Sequence, residues 1–308
     1  MLSRRRFLGA TLAAAATTSG PLDAKTPTKI RFGGPIFLKS NDPAELAAEH
    51  RRLGYSAAYC PNASIKDTAG IKAIREAFAA KNVVIAEVGA WKNMLDPDAA
   101  ARKANLQYVT ERLALADEVG ARCCVDIAGS YNPKTWYGPH KDNLSRKFFD
   151  ATVENVRGVI DAVKPTRTKF TIEMMGWNLP DTPDSYLRLI QAVARPAFAV
   201  HVDVCNLINS PEKIYNSTAV IEDCFRKLGP HIMSCHAKDL AWVTELNVHF
   251  LEVIPGRGEV DYHAYLKELA KLPQDAPLMM EHLKTAEEYG EARGYIQRMA
   301  SESGVEFA

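Results

Sequence analysis

The chain has 308 residues, of which 47% are hydrophobic, and its 38 Lys+Arg nearly balance its 37 Asp+Glu. Such a chain can bury a large core. It shows no basic excess or stripe of the kind a nucleic-acid groove carries, so a DNA or RNA partner is not expected. The length suits a single βα barrel, which takes about 250 residues.

Reading from the start, Ser3-Arg4-Arg5-Arg6-Phe7-Leu8 is followed by an Ala-rich apolar stretch and then by small and polar residues up to Lys25. This is the pattern of a twin-arginine export signal, assigned to residues 1–24, with the folded domain at 25–308. It predicts a periplasmic or secreted protein exported already folded. No Cys lies near the expected cleavage point, so no membrane anchor is expected after signal removal. No other segment approaches the ~18 apolar residues of a membrane span.

From Lys29 onward, strand-like and helix-like segments alternate. Strands are predicted at 30–37, 56–60, 83–89, 122–128, 169–175, 197–206, 231–237 and 276–283. Helices are predicted at 41–53, 68–81, 96–119, 144–163, 182–193, 218–228, 262–271 and 286–301, several opened by Asp, Asn or Thr and stopped by Gly. The strands are continuous apolar runs, as expected when both faces of a parallel sheet are covered. Eight βα repeats with short connections indicate a single (β/α)8 TIM barrel of the α/β class. An open doubly wound sheet would more often show Gly-x-Gly-x-x-Gly after the first strand, and Gly33-Gly34 is not that. The six cysteines, at 60, 123, 124, 205, 224 and 235, show no Cys-x-x-Cys spacing and read as buried thiols.

Four metal-ligand-type residues end four successive strands: Glu173, Asp203, His236 and Glu281. At the C-terminal ends of barrel strands, such side chains converge on the active-site face. Four of them in apolar contexts are hard to explain as helix caps, because buried unpaired carboxylates are costly and a cation is the simplest way to satisfy three. Three oxygen donors and one nitrogen, with no thiolate, favour one divalent metal of the Mn²⁺, Mg²⁺ or Co²⁺ kind, with Zn²⁺ also compatible. His201 shares a face with Asp203 and reads as a group beneath the metal or a substrate contact. Lys238 and Arg257, the latter in Gly256-Arg-Gly258, are candidates for substrate oxygens or an anion. Glu87 ends the third strand. Trp91, Trp136, Tyr137 and Trp177 are placed by the pattern at the mouth, where aromatics stack on sugar faces.

With these motifs, His236-Ala-Lys-Asp239 and the segment Pro255-Gly-Arg-Gly-Glu-Val-Asp-Tyr262, the chain after its signal resembles the xylose-isomerase-like superfamily, in its sugar phosphate isomerase/epimerase branch. Its pattern is similar to that of the ketose 3-epimerases. The resemblance implies a carbohydrate substrate and a metal held by Glu173, Asp203, His236 and Glu281. It also implies catalysis by Glu173 and Glu281, which would remove and return a proton through a metal-stabilised enediolate. Those epimerases place a substrate-contacting histidine where this chain has Asn206, which cannot carry a proton at pH 7. The related AP endonucleases need further histidines for a three-zinc cluster, which this chain lacks, so a nuclease is not expected.

The sequence therefore points to a metal-dependent sugar isomerase or epimerase. A lyase or hydratase eliminating from 3-keto sugars or glycosides uses the same proton abstraction and is favoured by export. A sugar-binding protein with a structural metal is the third reading. A homo-oligomer is compatible with the sequence.

Overall fold

A computed structural model of the chain describes residues 29–308 other than Gln274, so the predicted export signal lies outside the described residues. Eight parallel strands close on themselves. In chain order they are β1 (Phe32–Gly33), β2 (Ala57–Tyr59), β3 (Val84–Gly89), β4 (Cys123–Asp126), β5 (Lys169–Glu173), β6 (Phe198–Asp203), β7 (Ile232–Ala237) and β10 (Leu278–Met280). Closure is made by β1 pairing with β10 through Phe32 opposite Leu278 and Gly33 opposite Met279. It is reinforced where Ile30 bridges Phe307 and the Phe32 and Phe307 rings stack at 4.6 Å.

The outer layer is α1 (Pro43–Arg52), α2 (Thr68–Ala80), α3 (Ala99–Val119), α4 (Arg146–Val163), α5 (Pro183–Val193), α6 (Pro211–Tyr215), α7 (Ser217–Leu228), α8 (Tyr262–Ala270) and α9 (Ala286–Glu302). Local chemistry starts most of them. Asp42, Asp67, Asp98, Ser145, Thr182, Asp261 and Thr285 each accept a backbone N–H of the first helical turn. Each such cap is worth about 1 kcal/mol. Phe148, Val156, Val159 and Ile160 of α4 and Tyr186, Leu189 and Val193 of α5 are buried against the barrel. None of the described helices is long and apolar enough to cross a membrane.

Three features depart from the sequence expectation. The first strand is two residues rather than eight, because Pro35 removes a ladder donor just past Gly33-Gly34. A short helix, α6, occupies a predicted loop. The predicted loop after β7 instead holds an antiparallel hairpin, β8 (Asp239–Trp242) and β9 (Phe250–Val253), separate from the barrel sheet. The Asp239 carboxylate, fully buried, anchors this hairpin by accepting from the backbone N–H groups of Leu240, Gly256, Gly258 and Val260.

Candidate metal centre

Glu173 and Asp203 are the last residues of β5 and β6, His236 is the penultimate residue of β7, and Glu281 follows β10 directly. Asp203 lies opposite His236 in the ladder, and His236 lies opposite Met279. One ligand atom from each of the four residues can be chosen so that all lie within 4.8 Å of one another. The first three are buried and Glu281 is partly open. His236 Nδ1 stands 2.9 Å from Glu281 Oε1 and 3.4 Å from Glu173 Oε1. The strand end is held rigid from α8, where the Tyr265 and Tyr262 hydroxyls donate to the carbonyls of His236 and Lys238, each at 2.8 Å.

Beneath the four residues, where the sequence pattern puts His201, lies a web that also takes in Glu87 and Ser234. Glu87, 1% exposed, accepts from His201 Nε2 at 3.0 Å, from His236 Nε2 at 3.2 Å and from the Ser234 hydroxyl. Because His236 gives its Nε2–H to Glu87, its Nδ1 side faces the other ligands, an arrangement typical of metal-binding histidines. Glu87, His201 and His236 also lie within ligand distance of one another, but both oxygens of the Glu87 carboxylate are satisfied from within the web.

The electrostatics follow from burying several charges together. Burial raises the Asp203 carboxyl and repulsion from Glu173 and Glu281 adds to it, so it titrates above its usual range despite Lys238. Burial, the largest single influence, would raise Glu173 and Glu281, but the charge and hydrogen bond of His236 together with the charge of Lys238 outweigh it, and both fall below the ordinary range. His236 moves the other way, against burial, held protonated by Glu281 and Glu87.

Lys238 carries the remaining positive charge. It is 5% exposed and its Nζ lies 2.7 Å from Asp203 Oδ2, 2.6 Å from Glu281 Oε1 and 3.5 Å from Glu252 Oε1. Asp203 Oδ2 has no aligned hydrogen-bond donor even so. Its contact with Lys238 is an ion pair rather than a directed bond. A buried carboxylate oxygen without a donor, three carboxylates and one imidazole nitrogen fit a divalent cation.

Above this cluster opens a cavity of about 680 Å³, lined in part by Glu173, Glu281, Lys238, Asn206, Trp91 and Trp177. Asn206 donates to Glu173 Oε1 at 3.0 Å, which orients that carboxylate. Trp136, Tyr137 and Tyr59 also face the cavity, as does Glu252 of β9, paired with His282 at 2.8 Å. Of the expected substrate contacts, Arg257 is not brought here, and His201 takes the other place expected of it, beneath the metal cluster. His201 is fully buried under the cavity and engages Glu87 through Nε2. Arg257 is turned outward into a two-pronged pair with Glu291, both bonds 2.7 Å, and lines a neighbouring groove. Glu252 and His282 were missed, since nothing in the sequence places a hairpin strand over the mouth.

A family model described as xylose isomerase-like TIM barrel matches residues 47–299. No curated protein is significantly similar in sequence. Among solved structures, a xylose isomerase-like TIM barrel protein from Mycobacterium smegmatis in complex with magnesium is 18% identical, with TM-score 0.62 over 90% of this chain and 97% of the other. The 3-keto-D-glucoside 4-epimerase from E. coli is 14% identical, with TM-score 0.64 over 89% of this chain and 100% of the other. Endonuclease IV from Thermus thermophilus is 15% identical, with TM-score 0.64 over 88% of this chain and 99% of the other. At these identities the likeness is one of fold.

Proposed function

The chain belongs to the xylose isomerase-like TIM barrel family, and from that premise we propose that it is a divalent-metal-dependent sugar isomerase or epimerase working by proton abstraction next to a carbonyl. The observation that carries the reading is the meeting of Glu173, Asp203, His236 and Glu281 on the floor of a solvent-accessible, aromatic-lined cavity. A sugar epimerase stands among the structural neighbours, as does a magnesium complex.

Glu173, Asp203, His236 and Glu281 would hold the metal. Once bound, it would act as a Lewis acid on a substrate carbonyl, making the adjacent C–H acidic enough for a carboxylate to remove. The chain's own groups supply the rest. Glu173 and Glu281 are the two carboxylates of the metal cluster that reach the cavity, one to take the proton and one to return it. Asn206 fixes the Glu173 carboxylate by donating to Oε1. Lys238 balances the charge of Asp203 and Glu281 from the side, and Glu87 locks His236 from below.

A second reading is elimination from a 3-keto glycoside by the same proton removal. The size of the cavity favours it, since a single sugar ring does not fill 680 Å³.

The test is proton exchange. Mn²⁺-loaded full-length protein is incubated in D₂O with keto sugars and 3-keto glycosides, followed by NMR and mass spectrometry. Deuterium in an intact, inverted sugar is expected for epimerisation and loss of the aglycone for elimination. Glu173→Gln and Glu281→Gln should each lower the rate roughly 10²–10⁴-fold. A wild-type protein that neither exchanges carbon-bound hydrogen nor releases an aglycone with any of these sugars defeats both readings.

A further inference from the structure

Four aromatic side chains of the cavity are fixed in place yet left facing solvent. Trp91, Trp136 and Trp177 are each 37% exposed and Tyr137 is 46% exposed. Solvent-facing indoles usually swing freely, but these are held. Trp91 follows β3 in a left-handed backbone conformation, φ 42°, which is costly for a bulky residue. Its indole lies over Gly89, where a Cβ would come within 2.2 Å of Nε1. Trp177 Nε1 donates to the Tyr137 carbonyl at 2.7 Å, and the Trp136 and Tyr137 rings meet edge to face at 5.4 Å. The loop carrying them is pinned from inside the fold, because the Ser130 hydroxyl and the Asn143 amide both donate to the Gly138 carbonyl, at 2.6 and 3.2 Å. Backbone strain and a buried polar web thus maintain an aromatic surface that no other part of the described chain covers. Strain of this kind concentrates at ligand clamps.

The charges of the cavity restrict what this surface can meet. Of the lining residues, Lys238 and His282 are the cationic side chains, and both are already engaged, Lys238 by Asp203 and Glu281 and His282 by Glu252. Three lining carboxylates, Glu173, Glu252 and Glu281, add negative charge. Apart from a metal on the cavity floor, a phosphate would find no unpaired cation among the lining side chains and would face like charge.

We propose that Trp136, Tyr137 and Trp177 form a second-ring subsite, with Trp91, 6.4 Å from the His236 ring, at its inner end, and that the ligand is a neutral glycoside whose aglycone ring stacks there while its sugar reaches the Glu173–Glu281 end. The inference rests on the sugar reading given above. Stacking on preorganised rings contributes about tenfold in affinity per ring.

The experiment compares ligand pairs on metal-loaded full-length protein by titration calorimetry, with tryptophan fluorescence as a second readout. Phenyl and methyl β-D-glucosides form one pair, phenyl and methyl β-D-galactosides another, and glucose 6-phosphate is measured against glucose. The phenyl glycoside is expected to bind about tenfold tighter than its methyl partner in at least one pair, with the phosphate giving no gain. Trp136→Ala, on an exposed loop, should reduce the phenyl preference severalfold. Trp91→Phe should weaken it without disturbing the fold. Equal phenyl and methyl affinities, no binding of either phenyl glycoside, or tighter binding of glucose 6-phosphate than of glucose overturns the proposal. A phenyl preference with neither hydrogen exchange nor aglycone release in any sugar sinks the reaction and spares the subsite. Exchange on free keto sugars without a phenyl preference does the reverse.

Discussion

Lys238 sits where the charge balance of the site is decided. Asp203 is fully buried, and Lys238 supplies the cation touching it. Replacing Lys238 by Met leaves two carboxylates close together under low dielectric. Breaking a buried pair in this way costs about 3–5 kcal/mol. A divalent metal restores the missing positive charge. Lys238→Met should therefore destabilise the protein by about that amount in EDTA and much less with Mn²⁺, measured by urea unfolding. An equal loss under both conditions would make Lys238 a packing residue only. Glu87 acts one layer lower. With Glu87→Gln the acceptor for the His236 and His201 nitrogens is weakened, and metal affinity should fall about 10–100-fold by calorimetry while the fold persists. The contrast between these residues shows how far the sequence reaches. Glu173, Asp203, His236 and Glu281 were legible because each is an isolated polar residue ending an apolar run. Glu87 ends a run too, but its partners lie 114 and 149 residues away, and no local pattern announces them. Arg257 misled because a Gly-flanked Arg near the barrel mouth looks free, while Glu291 on α9 turns it outward.

At the scale of elements, the eight barrel strands were legible as apolar runs and the helices by their caps, whereas the β8–β9 hairpin was not. Its pattern is short, its Leu251 is about half exposed, and its anchoring is made by one carboxylate reading backbone N–H groups, which leaves no trace in side-chain periodicity. The hairpin matters because it brings Glu252 to Lys238 and His282. Gly258 is the weak point. A Cβ there would lie 2.3 Å from Asp239 Oδ1 and 2.4 Å from the Leu240 carbonyl, both in the anchor itself. Gly258→Ala should release the hairpin while the barrel stays folded. Limited proteolysis is expected to cut the variant within 243–249 faster than wild type, with far-ultraviolet circular dichroism unchanged. Equal cutting rates would place the hairpin's stability elsewhere.

At the scale of the whole molecule, the candidate ligands come from β5, β6, β7 and β10, four strands adjacent in the closed barrel. β10 is also the strand that pairs with β1 to complete closure. A metal held by all four would tie the two-residue strand β1, through β10, to the better-paired half of the barrel, so its removal should be felt globally rather than at the site alone. A ligand that binds only the folded state stabilises it by about 2.7 kcal/mol when present at 100 times its dissociation constant. For a domain of this size that corresponds to a shift of about 5 °C in Tm. Scanning calorimetry should therefore show a single transition that moves up with added Mn²⁺ and returns with EDTA. In Glu281→Gln the shift should shrink sharply, because that residue joins the β10 end to the cluster. A Tm indifferent to divalent metals in the wild type would remove the cation from this account and leave Lys238 and His236 as the counter-charges of the acidic cluster.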